Sequence, residues 1–138
     1  MTVAISTDDA QSGWLKVHIL GNAVAAGPLG EIANPEGVLV HICKGFLHIV
    51  TGAALASTLH MGIGATGSDS HEMIDGFALN QAADTVWFVV GQDLASEGAA
   101  VAPRGTLWPA ASFLTLTTAA QVSTGLEANL YLEYIRLA

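Results

Sequence analysis

Five histidines are the first side chains in this sequence that could support metal binding or acid–base chemistry. His18 and His60 fall on the more polar sides of two predicted strands, where cross-strand pairing could bring them together as ligands. Two separate, partly exposed histidines are the favoured interpretation, because no His-x-His or His-Glu-x-x-His spacing supports a site. His41 and His48 share one predicted strand and lie about 23 Å apart at about 3.3 Å per residue, too far to hold one ion.

A second candidate is the dense polar cluster of Asp69, His71, Glu72 and Asp75. Its carboxylates and loop carbonyls could hold Ca²⁺. The cluster lacks the regular ligand spacing of a calcium loop, and a solvated loop with local side-chain-to-backbone hydrogen bonds explains it as well. The sequence therefore predicts no metal and no cofactor.

Other catalytic patterns have little support. The serines form no Gly-x-Ser-x-Gly elbow, and Glu127 and Glu133 lie on one face of one strand instead of facing each other as glycosidase carboxylates do. Gly62-x-Gly64 resembles part of a phosphate loop, but no helix follows and no lysine is placed for a phosphate. The single cysteine, Cys43, fits a small buried hydrophobe better than a reactive thiol. We expect no enzymatic activity.

The composition narrows the possible partners. The 138 residues carry a net charge of -8, which disfavours binding to nucleic acid and to anionic membranes but leaves a basic partner surface possible. Only 12% of the residues are charged, against about 25% in ordinary soluble domains, while 51% are hydrophobic. Either small and polar residues cover the surface, or other subunits do; the second is favoured. No run of apolar residues is long enough to span a membrane, and residues 1–11 do not resemble a signal peptide.

The elements that must position these residues are strands. The stretch of residues 38–64 is the centre of the predicted fold, with a long strand, a small-residue turn and a return strand forming a hairpin. A β-bulge is expected at Lys44-Gly45, where the apolar phase changes. The last strand, residues 126–137, alternates most regularly and should have one face in the core. Further strands are predicted over residues 14–20, 77–79, 85–90 and 112–118, with turn-rich connections over residues 23–37, 74–76 and 91–105.

No window of twelve or more residues shows helical periodicity, so the expected fold is all-β, an antiparallel β-sandwich or jelly-roll-like single domain. Residues 1–11 are expected to form a flexible N-terminal arm, and residues 12–138 a single β domain. The continuous apolar run of residues 85–90 indicates a strand that is covered on both faces or lies at a subunit contact. The candidate interface residues are Trp14, Trp87, Phe88, Val89 and Trp108.

From residue 34 onward the chain resembles a family of small proteins encoded beside the major capsid protein in tailed phages and prophages. The shared pattern runs from an Asn-Pro-Glu-Gly turn into a long strand and a small-residue turn. It continues through a strand ending in Gly-x-Gly or Gly-x-Ala, an Ile-Asp-Gly turn, a Trp-x-Ala segment, a Thr-rich strand and a Gly-Leu pair to a last strand ending near Tyr-Ile-x-Tyr-Ile. Here the elements are, in order, Asn34-Pro35-Glu36-Gly37 and residues 42–51, 52–57, 59–65, 74–76, 108–110, 113–118, 125–126 and 131–135.

This resemblance implies a virion protein, made in the host cytoplasm and placed on the capsid surface. The expected role is a head decoration (cement) protein, β-rich and trimeric, that binds the major capsid protein. The family has no motif of catalytic residues to carry over. The alternatives are another virion role, such as a head-fibre base, a neck or tail component or a carbohydrate-binding adhesin, and a small β-fold hydrolase or metal-dependent enzyme.

Overall fold

The computed structural model describes residues 12–89 and 106–137. These two segments form nine strands and no helix. The predicted N-terminal arm, the predicted loop over residues 91–105 and Val90 lie outside the described residues. The strands are β1 Ser12–Leu20, β2 Gly27–Ala33, β3 Val40–Thr51, β4 Thr58–Gly64, β5 Ile74–Ala78, β6 Thr85–Phe88, β7 Thr106–Trp108, β8 Phe113–Ala119 and β9 Glu127–Arg136.

The strands form two antiparallel sheets that pack against each other as a sandwich, which confirms the predicted fold class. The five-stranded sheet has the order β1-β9-β3-β6, and the short β7 also pairs with β3. The four-stranded sheet has the order β2-β8-β4-β5. None of the described residues belongs to a helix long and apolar enough to cross a membrane.

The core lies between the inward faces of the two sheets, and β9 shows why it forms there. Its inward side chains Ala128, Leu130 and Leu132 are buried, while Glu127 and Glu133 on the other face are partly exposed. This confirms the predicted alternation. The largest fully buried side chains are Trp108, Phe77, Ile42, Leu47, Ile49, Leu59, Met61, Met73, Ile74, Leu79, Leu114 and Leu130.

The predicted bulge in the long strand is also confirmed, one residue earlier than Lys44-Gly45. The pairing of β3 with β9 shifts between Ile42 and Lys44, so Cys43 is the extra residue. Ile42 points into the core before the bulge and Leu47 after it. Because side chains alternate with a period of two, one extra residue is what keeps both halves of the apolar pattern inside.

The predicted central hairpin is wrong. β3 and β4 belong to different sheets, and residues 52–57 carry the chain from one sheet to the other. Each strand has an inward apolar face, and these faces meet across the core instead of lying side by side in one sheet. The crossing is held by backbone hydrogen bonds from Ala53 to Leu79 at 2.9 Å and from Leu79 to Ser57 at 2.8 Å.

Two segments predicted as turns are strands. Residues 27–33, rich in Gly and Pro, form β2 at the edge of the four-stranded sheet, where Pro28 is tolerated because the outer side of an edge strand has no partner to bond. Ile74-Asp75-Gly76 opens β5. Gly76 has a φ of +87°, and the pairing of β5 with β4 shifts at this residue, so a bulge accounts for the turn-like sequence.

The packing of β9 gives a stability prediction. Leu130 is 1% exposed on a strand that lies between β1 and β3, so Leu130→Ala should leave a cavity and lower the free energy of unfolding by about 2–5 kcal/mol. Leu20→Ala, at a side chain that is 60% exposed in the same sheet, should change it by about 0.5 kcal/mol or less. Urea denaturation measures both, and equal losses would contradict the assigned core.

Candidate functional site

The outer face of the five-stranded sheet carries four aromatic side chains, three of which each contact the fourth, Phe46; they are here called the aromatic face: Trp14, Phe46, Phe88 and Tyr131. Each comes from a different strand, and Phe46 on β3 is at the centre. Its ring centroid lies 4.9 Å from that of Tyr131, 6.1 Å from that of Trp14 and 6.4 Å from that of Phe88. These distances are typical of stacked and edge-to-face aromatic pairs, so the rings form one contiguous surface.

Strand register explains the cluster. Lys16, Tyr131, Phe46 and Phe88 lie opposite one another in a single row across β1, β9, β3 and β6. The Lys16 ammonium sits 5.6 Å from the centre of the Tyr131 ring, within cation–π range. The ring contacts hold the side chains in place without removing them from water, because Trp14 is still 53% exposed and Phe88 58% exposed.

The structure separates the five predicted interface residues. Trp14 and Phe88 are exposed on the aromatic face, whereas Val89 and Trp108 are fully buried inside the chain. Trp87 is partly buried on the inward side of β6. Whether any of these residues contacts a partner stays a prediction. On the outer face of β6, Val86 is 53% exposed and Phe88 58% exposed, and a subunit contact at this strand stays a prediction.

Sequence reasoning missed Phe46 and Tyr131. Tyr131 alternates with the core residues of the last strand and so reads as an ordinary solvent-facing residue, and Phe46 follows the bulge, where the phase of the pattern is hardest to assign. Both belong to the outward set of their strands, alternating with buried Leu47 and Leu130. The available signal was this alternation on two strands, but it indicates a shared patch only once the strands are known to be neighbours.

On the opposite side of the sandwich, residues 65–73 form the β4–β5 loop, which folds back across the outer face of the four-stranded sheet. At one end of the loop, Glu31 on β2 accepts hydrogen bonds from the Thr66 hydroxyl and, at 2.8 Å, from the Gly67 N–H. These bonds, the Thr66 one foremost, lower the pKa of Glu31.

Further along, the loop is bound to the next two strands. Asp69 accepts a hydrogen bond from the hydroxyl of Thr117 on β8, and Glu72 accepts one from the Ile63 N–H of β4 at 2.8 Å. The bond from Thr117 is the main cause that lowers the pKa of Asp69. The loop therefore contacts β2, β8 and β4 in their order across the sheet.

Gly62 and Gly64 make room for this loop. A Cβ at Gly62 would lie 2.7 Å from the Cβ of Ser70 and 2.6 Å from a carboxylate oxygen of Glu72. A Cβ at Gly64 would collide with the Ser68 hydroxyl and lie 2.6 Å from that of Ser70. The Gly-x-Gly spacing on β4 thus leaves a surface without side chains on which the loop packs. This accounts for a motif that otherwise resembles part of a phosphate loop.

At its far end the loop contributes to a histidine–carboxylate cluster of His60, His71, Asp69 and Asp75. His60 Nδ1 lies 2.7 Å from His71 Nδ1, and His71 Nδ1 lies 2.8 Å from Asp75 Oδ1. His71 Nε2 lies 3.0 Å from Asp69 Oδ1. Asp75 is the main cause that raises the pKa of His71, with a further contribution from Asp69 and an opposing one from burial.

The other predicted chemistry is dispersed. His18 and His60 stand on different sheets, and His18 pairs instead with Glu127 at 3.1 Å. Cys43 is partly buried at the bulge, where its thiol donates to the Glu133 carbonyl at 3.4 Å. Desolvation, followed by the negative charge of Glu133, raises the pKa of this thiol. The predicted polar cluster of the β4–β5 loop is joined instead by His60, which lies on β4 and which the sequence pattern grouped with His18.

The fold and these two surfaces define an all-β sandwich with an open aromatic face and a loop-covered face. Among solved structures, the chain is similar to a chain of the Cyanophage Pam1 capsid asymmetric unit, with 12% sequence identity and a TM-score of 0.50. The alignment covers 99% of this chain and 94% of that one. No protein-family model matches the sequence. No curated protein matches it either. The similarity at this level of identity is one of fold.

The packing of the loop on Gly62 and Gly64 gives a second prediction. Gly62→Ala and Gly64→Ala should displace the β4–β5 loop and lower the free energy of unfolding by about 1–3 kcal/mol, because the side chains of Ser68, Ser70 and Glu72 must move. Gly30→Ala is the matched control, since its Cβ would meet nothing within 4 Å. Urea denaturation, with amide exchange at Gly67, checks this. Equal stability of all three variants would contradict the covered face.

The Glu31 contacts give a third prediction, on pH. The folded-state pKa of Glu31 lies below its ordinary value of 4.5. The stabilisation from the hydrogen bonds that Glu31 accepts from Thr66 and Gly67 is therefore fully present above pH 4.5. It is lost as the pH falls through the lower folded-state pKa. The amide NMR signal of Gly67 should therefore titrate with a midpoint below 4.5, and Glu31→Gln should abolish this step. Glu36→Gln, at a carboxylate outside the loop, should preserve it. A midpoint at or above 4.5 would contradict the assignment.

Proposed function

We propose that this chain is a structural protein of a phage virion, a head decoration protein that self-associates as a trimer and binds the major capsid protein. The observation that carries the proposal is the fold, which agrees over 99% of the chain with a chain of a phage capsid asymmetric unit. The ordered sequence resemblance to proteins encoded beside phage capsid genes points to the same role. The proposal assigns the chain no catalytic activity.

The aromatic face is the proposed contact surface. Trp14 and Phe88 keep more than half of their surface in water, and the neighbouring Val86 is 53% exposed. Fully burying one such side chain is worth about 1.5–3 kcal/mol, so covering several of them favours association strongly. Contiguous apolar patches on a protein surface commonly mark interaction sites, and aromatic side chains are frequent hot spots within them.

The low charge content supports the same conclusion. Charged residues make up 12% of the sequence, and subunit contacts can cover apolar surface that a solitary chain would have to solvate. In the proposed assembly, copies of the chain meet each other and the shell. A protein that binds only the assembled shell stabilises it by mass action. Three linked copies would combine weak single contacts into firm attachment.

Capsid binding tests the proposal. We expect purified wild-type protein to be a trimer by light scattering, to co-sediment with undecorated heads of the phage that encodes it, and to raise their melting temperature. Trp14→Ala combined with Phe88→Ala should weaken co-sedimentation about tenfold or more. Leu55→Ala, at a 47% exposed apolar residue in the loop between β3 and β4, is the matched control and should bind normally.

The same samples separate the parts of the proposal. Loss of the trimer in the double variant would place the aromatic face between copies, whereas a trimer that fails to bind heads would place it against the shell. A wild-type protein that is monomeric and does not co-sediment with phage heads would contradict the proposal. Binding to a glycan array, lost in the double variant, would instead favour the adhesin alternative.

A further inference from the structure

We propose that His60, His71 and Asp75 form a binding site for a divalent transition metal of the Zn²⁺ type, with Asp69 in support of His71. This proposal does not depend on the virion role. It also departs from what the sequence predicts, which is a loop without a metal or, less favoured, a Ca²⁺ site made of carboxylates and carbonyls. The difference comes from His60, which β4 supplies from outside the loop.

The donor atoms already converge. His60 Nδ1, His71 Nδ1 and Asp75 Oδ1 are separated by 2.7, 2.8 and 3.8 Å. Ligands at about 2.0–2.1 Å from a tetrahedral Zn²⁺ lie roughly 3.3–3.4 Å apart. The observed distances fall on both sides of this value, so side-chain movements of a few tenths of an ångström would complete a three-ligand site. Solvent would take the fourth position.

The ring of His71 is held as metal-binding histidines usually are. One of its nitrogens, Nδ1, is the proposed ligand and lies 2.7 Å from His60 Nδ1. The other, Nε2, lies 3.0 Å from Asp69 Oδ1 and also 3.0 Å from His60 Nδ1. Asp69 in turn accepts the hydroxyl hydrogen bond of Thr117 on β8. Metal-ligating histidines almost always donate their second N–H to a carboxylate or carbonyl, which fixes the ring and its tautomer. This chain from Thr117 through Asp69 to His71 is an observation independent of the ligand distances.

The donor set selects the class of metal. Two imidazole nitrogens and one carboxylate suit Zn²⁺ and its neighbours, whereas Ca²⁺ and Mg²⁺ require oxygen ligands. The surroundings attract a cation, because Glu31, Asp69, Glu72 and Asp75 all lie on the four-stranded sheet or its loop. His60 is the well-packed member, with 14% of its side chain exposed, while the other ligands are open enough for an ion to enter.

A bound ion would add a direct link between three parts of the chain. His60 belongs to β4, His71 to the β4–β5 loop and Asp75 to β5. Because the unfolded chain lacks the assembled site, binding would stabilise the folded state and tie the loop to the sheet.

The experiment uses full-length, untagged protein and two probes, Co²⁺ followed by visible absorption and Zn²⁺ followed by calorimetry. We expect one ion per chain, a Co²⁺ spectrum of tetrahedral intensity that Zn²⁺ abolishes, and a higher melting temperature with Zn²⁺. His60→Gln and His71→Gln should each weaken binding by about a hundredfold or more, as expected for lost ligands. Asp69→Asn should weaken it by about tenfold to a hundredfold.

His18→Gln is the matched control, since it removes a histidine that pairs with one carboxylate, Glu127, and has no second histidine beside it. Its affinity should equal that of the wild type. Circular dichroism of each variant shows whether the fold is retained. Absence of Co²⁺ and Zn²⁺ binding by the folded wild type would overturn the proposal, and the four side chains would then form a hydrogen-bonded cluster without a metal. Binding that survives both ligand substitutions would overturn it too.

Discussion

A β-sandwich has one shared core and two outer faces, and the hydrophobic packing between the sheets determines everything placed on those faces. In this chain β3 and β9 pair at the centre of one sheet, and β4 and β8 at the centre of the other. Their inward side chains are almost completely buried. Since side chains alternate along a strand, fixing the inward set also fixes which residues point outward. This places the aromatic face on one side of the sandwich and His60 on the other.

The two outer faces are treated differently by the same chain. The four-stranded sheet is covered from within, because Gly62 and Gly64 leave a flat surface on which the β4–β5 loop lies. The five-stranded sheet has no comparable cover among the described residues, and its strands present Trp14 and Phe88 to solvent. The first face thus holds a polar network, and the second presents aromatic side chains to solvent.

Much of the fold could be predicted from the sequence where one physical signal dominates. The alternation of residues 126–137 and the phase change near Gly45 each reflect burial of one strand face, and both predictions hold. Segments rich in Gly and Pro were wrongly predicted to be turns, because the same residue types also occur in edge strands and bulges. Gly76 is such a case, since its positive φ belongs to a bulge within β5 and not to a turn.

The candidate site was less predictable because it depends on a long-range fold-back. Asp69, His71 and Asp75 are a visible cluster in the sequence, but nothing local indicates that the loop crosses the sheet and reaches His60. The hidden signal was the face of β4 that carries His60, Gly62 and Gly64. These two glycines leave space on that face, and the β4–β5 loop occupies it.

The distribution of charge has a consequence for how the molecule meets any large partner. Among the described residues the strands of the five-stranded sheet carry all three Lys and Arg side chains, Lys16, Lys44 and Arg136, together with two acids, whereas the four-stranded sheet and its loop carry four acids and no Lys or Arg. Within the described part of the chain, side-chain charge is therefore distributed unevenly between the two sheets, with the excess of acids on the four-stranded side. A charged partner surface would therefore attract one side of the sandwich more strongly than the other, and added salt would weaken this difference.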